Sequence, residues 1–504
     1  MHIEMKDPAT GQALTPYWRV CVGGGRVAEA LRADFQKHLE LVQREMPFQY
    51  IRMHGLFHED MMVYREEKGR PILNWQYVDL VYDHWLSIGI RPFVELGFMP
   101  YDLASGSETV FWWRGNITPP KDWERWEWLI EQFIRHVLER YGAAEVRRWY
   151  FEVWNEPSLH FFWKDADFAA YMQLYERTVH TIKRIDANLR VGGPASHGFG
   201  EAVGEPPWGK EFLAACAERS LPLDFFSTHP YPTLYPIDVD GHGYMTWDGP
   251  GRLLADARGC DQLLRQSAFA NVERHYTEWS SSPSPRDPVH DTAFLASFIV
   301  DNNIRARGLM DSLSFWVVSD IFEENRQGDT PFHGGFGLVN IQGLKKASYH
   351  GYWFLSRLGE ELIAAGDGYV ITRRVDGSLA ALLWNYCHYR SDADSRLAAA
   401  AKPGEIYALF DLQPARDFQL TFTGLGTTTR LQTTRFDRQH GCVYDAWVAL
   451  GAPNHILPAD LQVLRRRMEL DVTAERVATP GCQLDWHGQV EPFGVTLLEL
   501  SSLA

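Results

Sequence analysis

The chain has no apolar run approaching the roughly 18 residues of a membrane-crossing helix, so a helical integral membrane protein is excluded. Cysteine is scarce. The six (Cys21, Cys216, Cys260, Cys387, Cys442 and Cys482) are scattered over 504 residues with no C-x-x-C pair. They read as buried free thiols in a reducing compartment rather than as a disulfide framework or a zinc site. Basic residues are outnumbered 49 to 65, a net charge of -16 that argues against nucleic acid or an anionic membrane surface as partner. A neutral ligand tolerates that charge. The first residues, MHIEMKDPATGQ, show no basic stretch followed by an apolar one, so no signal peptide is expected and the cytoplasm is the expected location. HExxH is absent, and His54 and His58, though spaced like helix-borne ligands, sit in a strand-to-loop segment. The GxSxG nucleophile elbow is absent as well. No metal and no cofactor are expected.

Aromatic and apolar residues are plentiful: 45% hydrophobic, 13% aromatic, 19 Trp. The length exceeds one ordinary core and suits a barrel of about 250–350 residues with a second domain. The pattern between about residues 15 and 363 repeats strand then helix eight times. Strands are predicted at 18–23, 49–53, 91–97, 147–153, 189–193, 223–229, 272–279 and 312–318, with helices at 27–45, 75–88, 208–219, 251–266, 290–308 and 347–363 among those between and after them. In the helix opened by Pro119-Pro120, Trp123, Trp126, Ile130, Phe133 and Val137 recur at three- to four-residue steps as a core face; in the next, Asp165 is the expected N-cap. A repeating βα pattern implies a parallel sheet, and eight units imply a closed (β/α)8 barrel, an α/β fold. GGGRVA (23–28) fits a dinucleotide fingerprint in form, but the next strand ends in Arg52-Met53-His54 rather than an acid, so the glycines read as a tight βα turn. From 364 the texture becomes antiparallel β: a hairpin around Asp376-Gly377, strands at EIYALFDL, DFQLTFTGL, TRLQTTRFD and GVTLLELSS, and a helical interruption near 458–468. Residues 364–504 are expected to form a β-sandwich with residues 1–14 packed against it.

The residues with chemistry gather at strand ends. RWYFEVWNEP (148–157) is a buried strand stopped at Pro157, with Glu156 left beside Asn155 and Trp154. An isolated Glu would ordinarily be paired in a loop, but Glu278 ends strand seven, facing it across a barrel mouth. Glycoside hydrolysis needs such a pair, one protonated acid and one ionised carboxylate. Glu95, inside strand three, reads as a structural carboxylate, and the Gly- and Tyr-rich segment 233–250 as an active-site loop.

GNITPPKDWERW (115–126), WYFEVWNEPSLHFFW (149–163), FFSTHPYP (225–232), TEWSSSPSPRD (277–287) and FWVVSDIFEE (315–324) together resemble glycoside hydrolase family 39, the β-xylosidase and α-L-iduronidase family. The resemblance implies Glu156 as acid/base and Glu278 as nucleophile, with Arg52, His229 and Tyr231 around the nucleophile. It also implies that Asn155 bonds a sugar 2-hydroxyl, Trp316 stacks under the ring, and Glu323 and Glu324 accept from outer hydroxyls. His54 is a further sugar ligand, and Phe162 and Trp163 line the leaving-group side; Trp316 and Trp163 read equally well as core. Physically, Arg52 should keep Glu278 ionised while Glu156, facing Trp and Phe, stays protonated. An iduronide would meet Glu323-Glu324, which favours xylose. The expectation is a retaining exo-β-1,4-xylosidase acting on xylo-oligosaccharides. α-L-Arabinosidase or another glycosidase of the clan is the alternative enzyme, and a non-catalytic carbohydrate-binding protein the alternative class. Homo-oligomerisation, common among the family's bacterial xylosidases, is left open.

Overall fold

The computed structural model describes residues 2–4, 11–198, 208–322 and 324–503. Eight parallel strands close into a barrel: β1 (Cys21–Arg26), β2 (Tyr50–His54), β3 (Arg91–Glu95), β4 (Tyr150–Glu152), β5 (Arg190–His197), β6 (Phe225–His229), β7 (Glu273–Trp279) and β8 (Ser312–Phe315). Each is a short, largely buried run, as strands enclosed by helices must be. No helix of the described residues is long and apolar enough to cross a membrane.

Local chemistry moves several boundaries. The three glycines lie inside β1 rather than in a turn after it; a Cβ on Gly23 would stand 2.3 Å from Trp316 Cε3, so β1 is bare where that indole lies against it. Asp122 caps the helix Trp123–Tyr141 by accepting from Arg125 N. The cap of Phe168–Ile185 is Asp167, not Asp165, which sits at φ 58° in a preceding turn. The last barrel helix ends at Leu355, and Glu361 already pairs with Arg373 in the β domain. EIYALFDL is a 3-10 helix, Pro403–Leu409, because Ile406, Tyr407 and Leu409 are all buried and Pro403 opens the turn.

The β domain is two sheets. β9 (Glu361–Gly366), β10 (Tyr369–Arg373), β11 (Leu379–Trp384), β13 (Thr428–Phe436), β14 (Asp471–Ala478) and β16 (Val495–Ser502) join Gln12–Ala13 in a seven-stranded sheet. β12 (Arg416–Thr423) and β15 (Gln483–Val490) join His2–Glu4 in a three-stranded one. Leu379, Ala381 and Leu383 face the core between the sheets, while Ala380, Leu382 and Trp384 face the barrel's core. Alternation thus makes β11 a strand shared by two hydrophobic cores. All six cysteines are free and five are buried; Cys482, in a turn between β14 and β15, is exposed, against expectation.

Candidate active site

Inward-pointing positions along the barrel strands change character from one end to the other. Tyr50, Phe93, Tyr150 and Phe225 fill the N-terminal end with rings 4.8–5.4 Å apart. Two residues on, the same strands present Arg52, Glu95 and Glu152. Arg52 is completely buried and spans the barrel as a hub. Its Nε is 2.5 Å from Glu152 Oε2, its Nη1 2.8 Å from Glu278 Oε1, and its Nη2 3.0 Å from Glu95 Oε2 and 2.9 Å from Asn155 Oδ1. Burial alone would weaken the guanidinium's hold on its proton, but Glu152, Glu95 and Glu278 outweigh it and raise its pKa. Glu95 is therefore structural, as expected; it also accepts from His54 Nδ1 at 2.6 Å. His54 and Arg52, outweighing the cost of burial, hold its carboxyl below the usual range.

A β-bulge delivers Glu278. On β7 three steps, Tyr276 to Trp279, oppose two on β8, Leu313 to Phe315. The extra residue lets neighbours point inward together: Thr277 reaches Glu152 and His229, and Glu278 reaches Arg52 and Tyr231. Glu278 Oε2 accepts from the Tyr231 hydroxyl at 3.0 Å, so both its oxygens are engaged. Glu156 is set by strained backbone instead. Trp154 (φ 74°), Glu156 (φ 41°) and Ala195 (φ 51°) are non-glycine residues at positive φ, and Glu156 N donates to Ala195 O at 2.9 Å. This turn sends the Trp154 indole to the Phe162 carbonyl and leaves Glu156 facing imidazoles.

That environment corrects the expectation of apolar surface against Glu156. His229 Nδ1 is 3.0 Å and His197 Nδ1 3.5 Å from Glu156 Oε1. Burial favours the protonated carboxyl, but the two histidines' hydrogen bonds and charges outweigh it and hold the Glu156 pKa low. The hydrogen bonds also decide where the proton sits. Glu152 can only accept, so Thr277 donates to it at 2.9 Å and its oxygen must accept from His229 Nε2 at 3.0 Å. His229 therefore carries a hydrogen on Nε2, and the Nδ1–Glu156 contact holds one further proton, on either partner. The proton that an acid needs belongs to the Glu156–His229 pair.

Oxygens of Glu156 and Glu278 and a nitrogen of His229 lie within 4.8 Å of one another. With Arg52 and Tyr231 already bonded to Glu278, this trio is an acid–base cluster rather than a cation cage. It opens into a cavity of about 1090 Å³ lined also by His54, Tyr231, Trp316, Phe162 and Glu324. Trp316 lies 4.6 Å, centroid to centroid, from His54. Burial, Glu278 and Glu156 push the Glu324 pKa well up. Glu323 lies outside the described residues. Asn155 Oδ1 accepts from Arg52, which leaves Nδ2 without a partner among the described residues and free to donate. Trp163 does not line the cavity: it is fully buried, packs 5.0 Å from Trp154 and donates to Asp167 O, a core residue.

Sequence reasoning missed Glu152, Thr277, His197, Phe111, Phe161 and Tyr235. Period-two spacing from Tyr150 would have found Glu152, and reading strand five through to its polar end would have found His197. Phe161, Tyr235 and Phe111, by contrast, reach the cavity from loops, where no periodicity marks them.

The family model described as glycosyl hydrolases family 39 matches residues 1–480. A β-xylosidase of Geobacillus stearothermophilus is 38% identical over 471 residues, covering 92% of this chain and 88% of that one. One from Caldicellulosiruptor saccharolyticus is 42% identical over 354 residues, 69% and 70% of the two chains. The crystal structure of a monomeric β-xylosidase from Caulobacter crescentus CB15 superposes with a TM-score of 0.91 at 32% identity, covering both chains completely. Match, relatives and a barrel mouth built around two carboxylates agree: the chain belongs to glycosyl hydrolases family 39.

Proposed function

We propose that the chain is a retaining exo-β-xylosidase that releases xylose from xylo-oligosaccharides by double displacement. One observation carries the mechanism: the approach of a Glu156 oxygen to within 4.8 Å of a Glu278 oxygen. Retaining glycosidases hold their carboxyls about 5–5.5 Å apart, whereas inverting ones need about 6.5–9.5 Å for an intervening water. Glu278, paired with Arg52 at 2.8 Å, attacks the anomeric carbon. As that bond forms, the glycosidic C–O bond breaks and the proton of the Glu156–His229 pair passes through Glu156 to the leaving oxygen. Water then gives a proton back to Glu156 and attacks the anomeric carbon, and Glu278 departs. Asn155 Nδ2 donates to the 2-hydroxyl, Trp316 lies under the ring, and His54 and Glu324 bond further hydroxyls.

Two relatives named β-xylosidases, each covering two thirds of the chain or more, support xylose as the sugar. Its ring has no C6 carboxylate to set against Glu278, Glu156 and Glu95. Six unpaired thiols favour a reducing compartment, the cytoplasm.

The test is proton NMR of aryl β-D-xyloside hydrolysis. β-Xylose should form first and then mutarotate; α-xylose first would overturn Glu278 as nucleophile. Glu156→Ala should lose about 10²–10⁴-fold on xylobiose, and azide should rescue it on the activated aryl substrate as β-xylosyl azide. Faster turnover of an aryl α-L-arabinoside would move the assignment to that sugar.

A further inference from the structure

Above the two carboxylates stands a hairpin of the barrel, Thr233–Leu234 paired with Thr246–Trp247 and continued only by an isolated bridge from Ile237 to Gly243. Such a ladder is marginal in water and cannot by itself offset the entropy of ordering the dozen residues it closes. The β domain braces it from outside. Thr246 forms a β-bridge with Asp394, Ser395 N donates to Met245 O at 2.8 Å, and Met245 N donates to Ser395 Oγ at 3.0 Å. Arg396 lies 3.8 Å over the Tyr244 ring and pairs with Asp238 at 3.2 Å. At the base, Trp247 stacks on Tyr389 with centroids 4.2 Å apart and planes 7° from parallel. Asp394 in turn caps the helix Ser395–Ala400, so the clasp rises from a fixed point.

The clasped hairpin lines the catalytic cavity through Leu234 and Tyr235, and Ser395 lines it too. Leu234 and Tyr235 are 40% and 56% exposed, an apolar surface held open rather than packed away. Tyr235 is near enough to Glu156 for that charge to act on its phenol. Phe161, on the turn that follows Glu156, is 46% exposed in the same cavity. Trp316 and Glu324, which serve the sugar being cleaved off, come instead from the end of β8 and its loop. The hairpin therefore stands beside the acid residue, where the leaving group departs.

We infer that the β-sandwich domain builds the leaving-group subsite: Asp394, Ser395 and Arg396 position the hairpin so that Tyr235, with Phe161, receives the departing xylose units. This rests on the glycosidase reading above. It gives the β domain a part in substrate selection and makes Arg396, which touches no substrate, a positioning residue.

The experiment compares a substrate that fills the leaving-group side with one that barely enters it. In Arg396→Ala, the ratio of kcat/KM for xylotriose to that for nitrophenyl β-xyloside should fall about tenfold, chiefly through KM for xylotriose. Arg396→Lys, which keeps the charge opposite Asp238, should recover most of it. Parallel loss on both substrates, or no loss on xylotriose, overturns the inference. Limited proteolysis reads the clasp without any substrate: cleavage within 233–247 should accelerate in Arg396→Ala, and an unchanged rate overturns the anchoring. Absence of wild-type xyloside turnover would sink the xylosidase reading and with it the xylose subsite, while proteolysis would still report on the clasp.

Discussion

The two ends of the barrel are made by the same strands two residues apart, and they behave as different materials. At the closed end Tyr50, Phe93, Tyr150 and Phe225 pack ring on ring, with Arg190 3.6 Å over Tyr150. About 7 Å further along, Arg52 meets Glu95, Glu152 and Glu278 in a layer with more negative than positive charge. Backbone irregularity follows the same division: the β7 bulge and the positive-φ residues Trp154, Glu156 and Ala195 all belong to the mouth. The closed end spends its residues on cohesion, which leaves the mouth able to hold groups that would rather be solvated.

The largest test of that division is Arg52→Met. It leaves three carboxylates facing one another without their shared cation, so kcat/KM should fall about a thousandfold. Stability to urea should fall by about 3–5 kcal/mol, the usual cost of breaking a buried pair from one side. Phe93→Ala removes a comparable volume of contacts at the closed end. It should cost about 3–5 kcal/mol in urea denaturation, while kcat/KM of the protein that remains folded stays within about twofold. A large KM change there would erase the distinction between the ends.

Thr277→Val probes the proton accounting. With no acceptor for Nε2–H, the hydrogen-bond chain that holds the pair's proton is broken at one end. The alkaline limb of the xylobiose profile should move to lower pH, with about a tenfold loss at its former optimum, and Thr277→Ser should restore it. An unmoved limb in both variants means the tautomer of His229 is set by something else. Glu273→Gln gives the smallest effect. Burial works against the Glu273 carboxylate, but hydrogen bonds from His275 and Tyr150 and the charges of His275 and Arg190 bring its pKa to about 2. Its folded pKa is below the unfolded value of about 4.3, so its contribution is complete above that pH and is lost as pH falls towards 2. The variant should flatten the loss of Tm between pH 5 and 3 and leave the activity profile unchanged.

The barrel was legible because its strands are short buried runs and helices such as Trp123–Tyr141 and Phe168–Ile185 carry a three- to four-residue apolar period. Glu156 stood out because Pro157 ends its strand, and Glu278 because it ends strand seven. What stayed hidden depended on register. Alternation along β7 predicts either Thr277 or Glu278 inside; only the bulge admits both. The imidazoles around Glu156 come from β5 and β6, brought there by barrel closure rather than by proximity in the chain. Asp165 and Asp167 are equally good caps on paper, and the turn before the helix chose between them. β14 was missed because DVTAERVA is mostly exposed and carries little apolar alternation, whereas β15 does alternate, through Leu484, Trp486 and Val490, and was not read.

Because β11 is buried on both faces, the β domain is not a portable part. A recombination event that joined this barrel to a relative's sandwich would have to carry a matching Ala380, Leu382 and Trp384 face with it, down to the Trp384 Nε1 that donates to Asp301 on a barrel helix at 3.0 Å. Inheritance of the two halves is thereby linked, and a barrel with a foreign sandwich would be lost to misfolding before its chemistry could be selected.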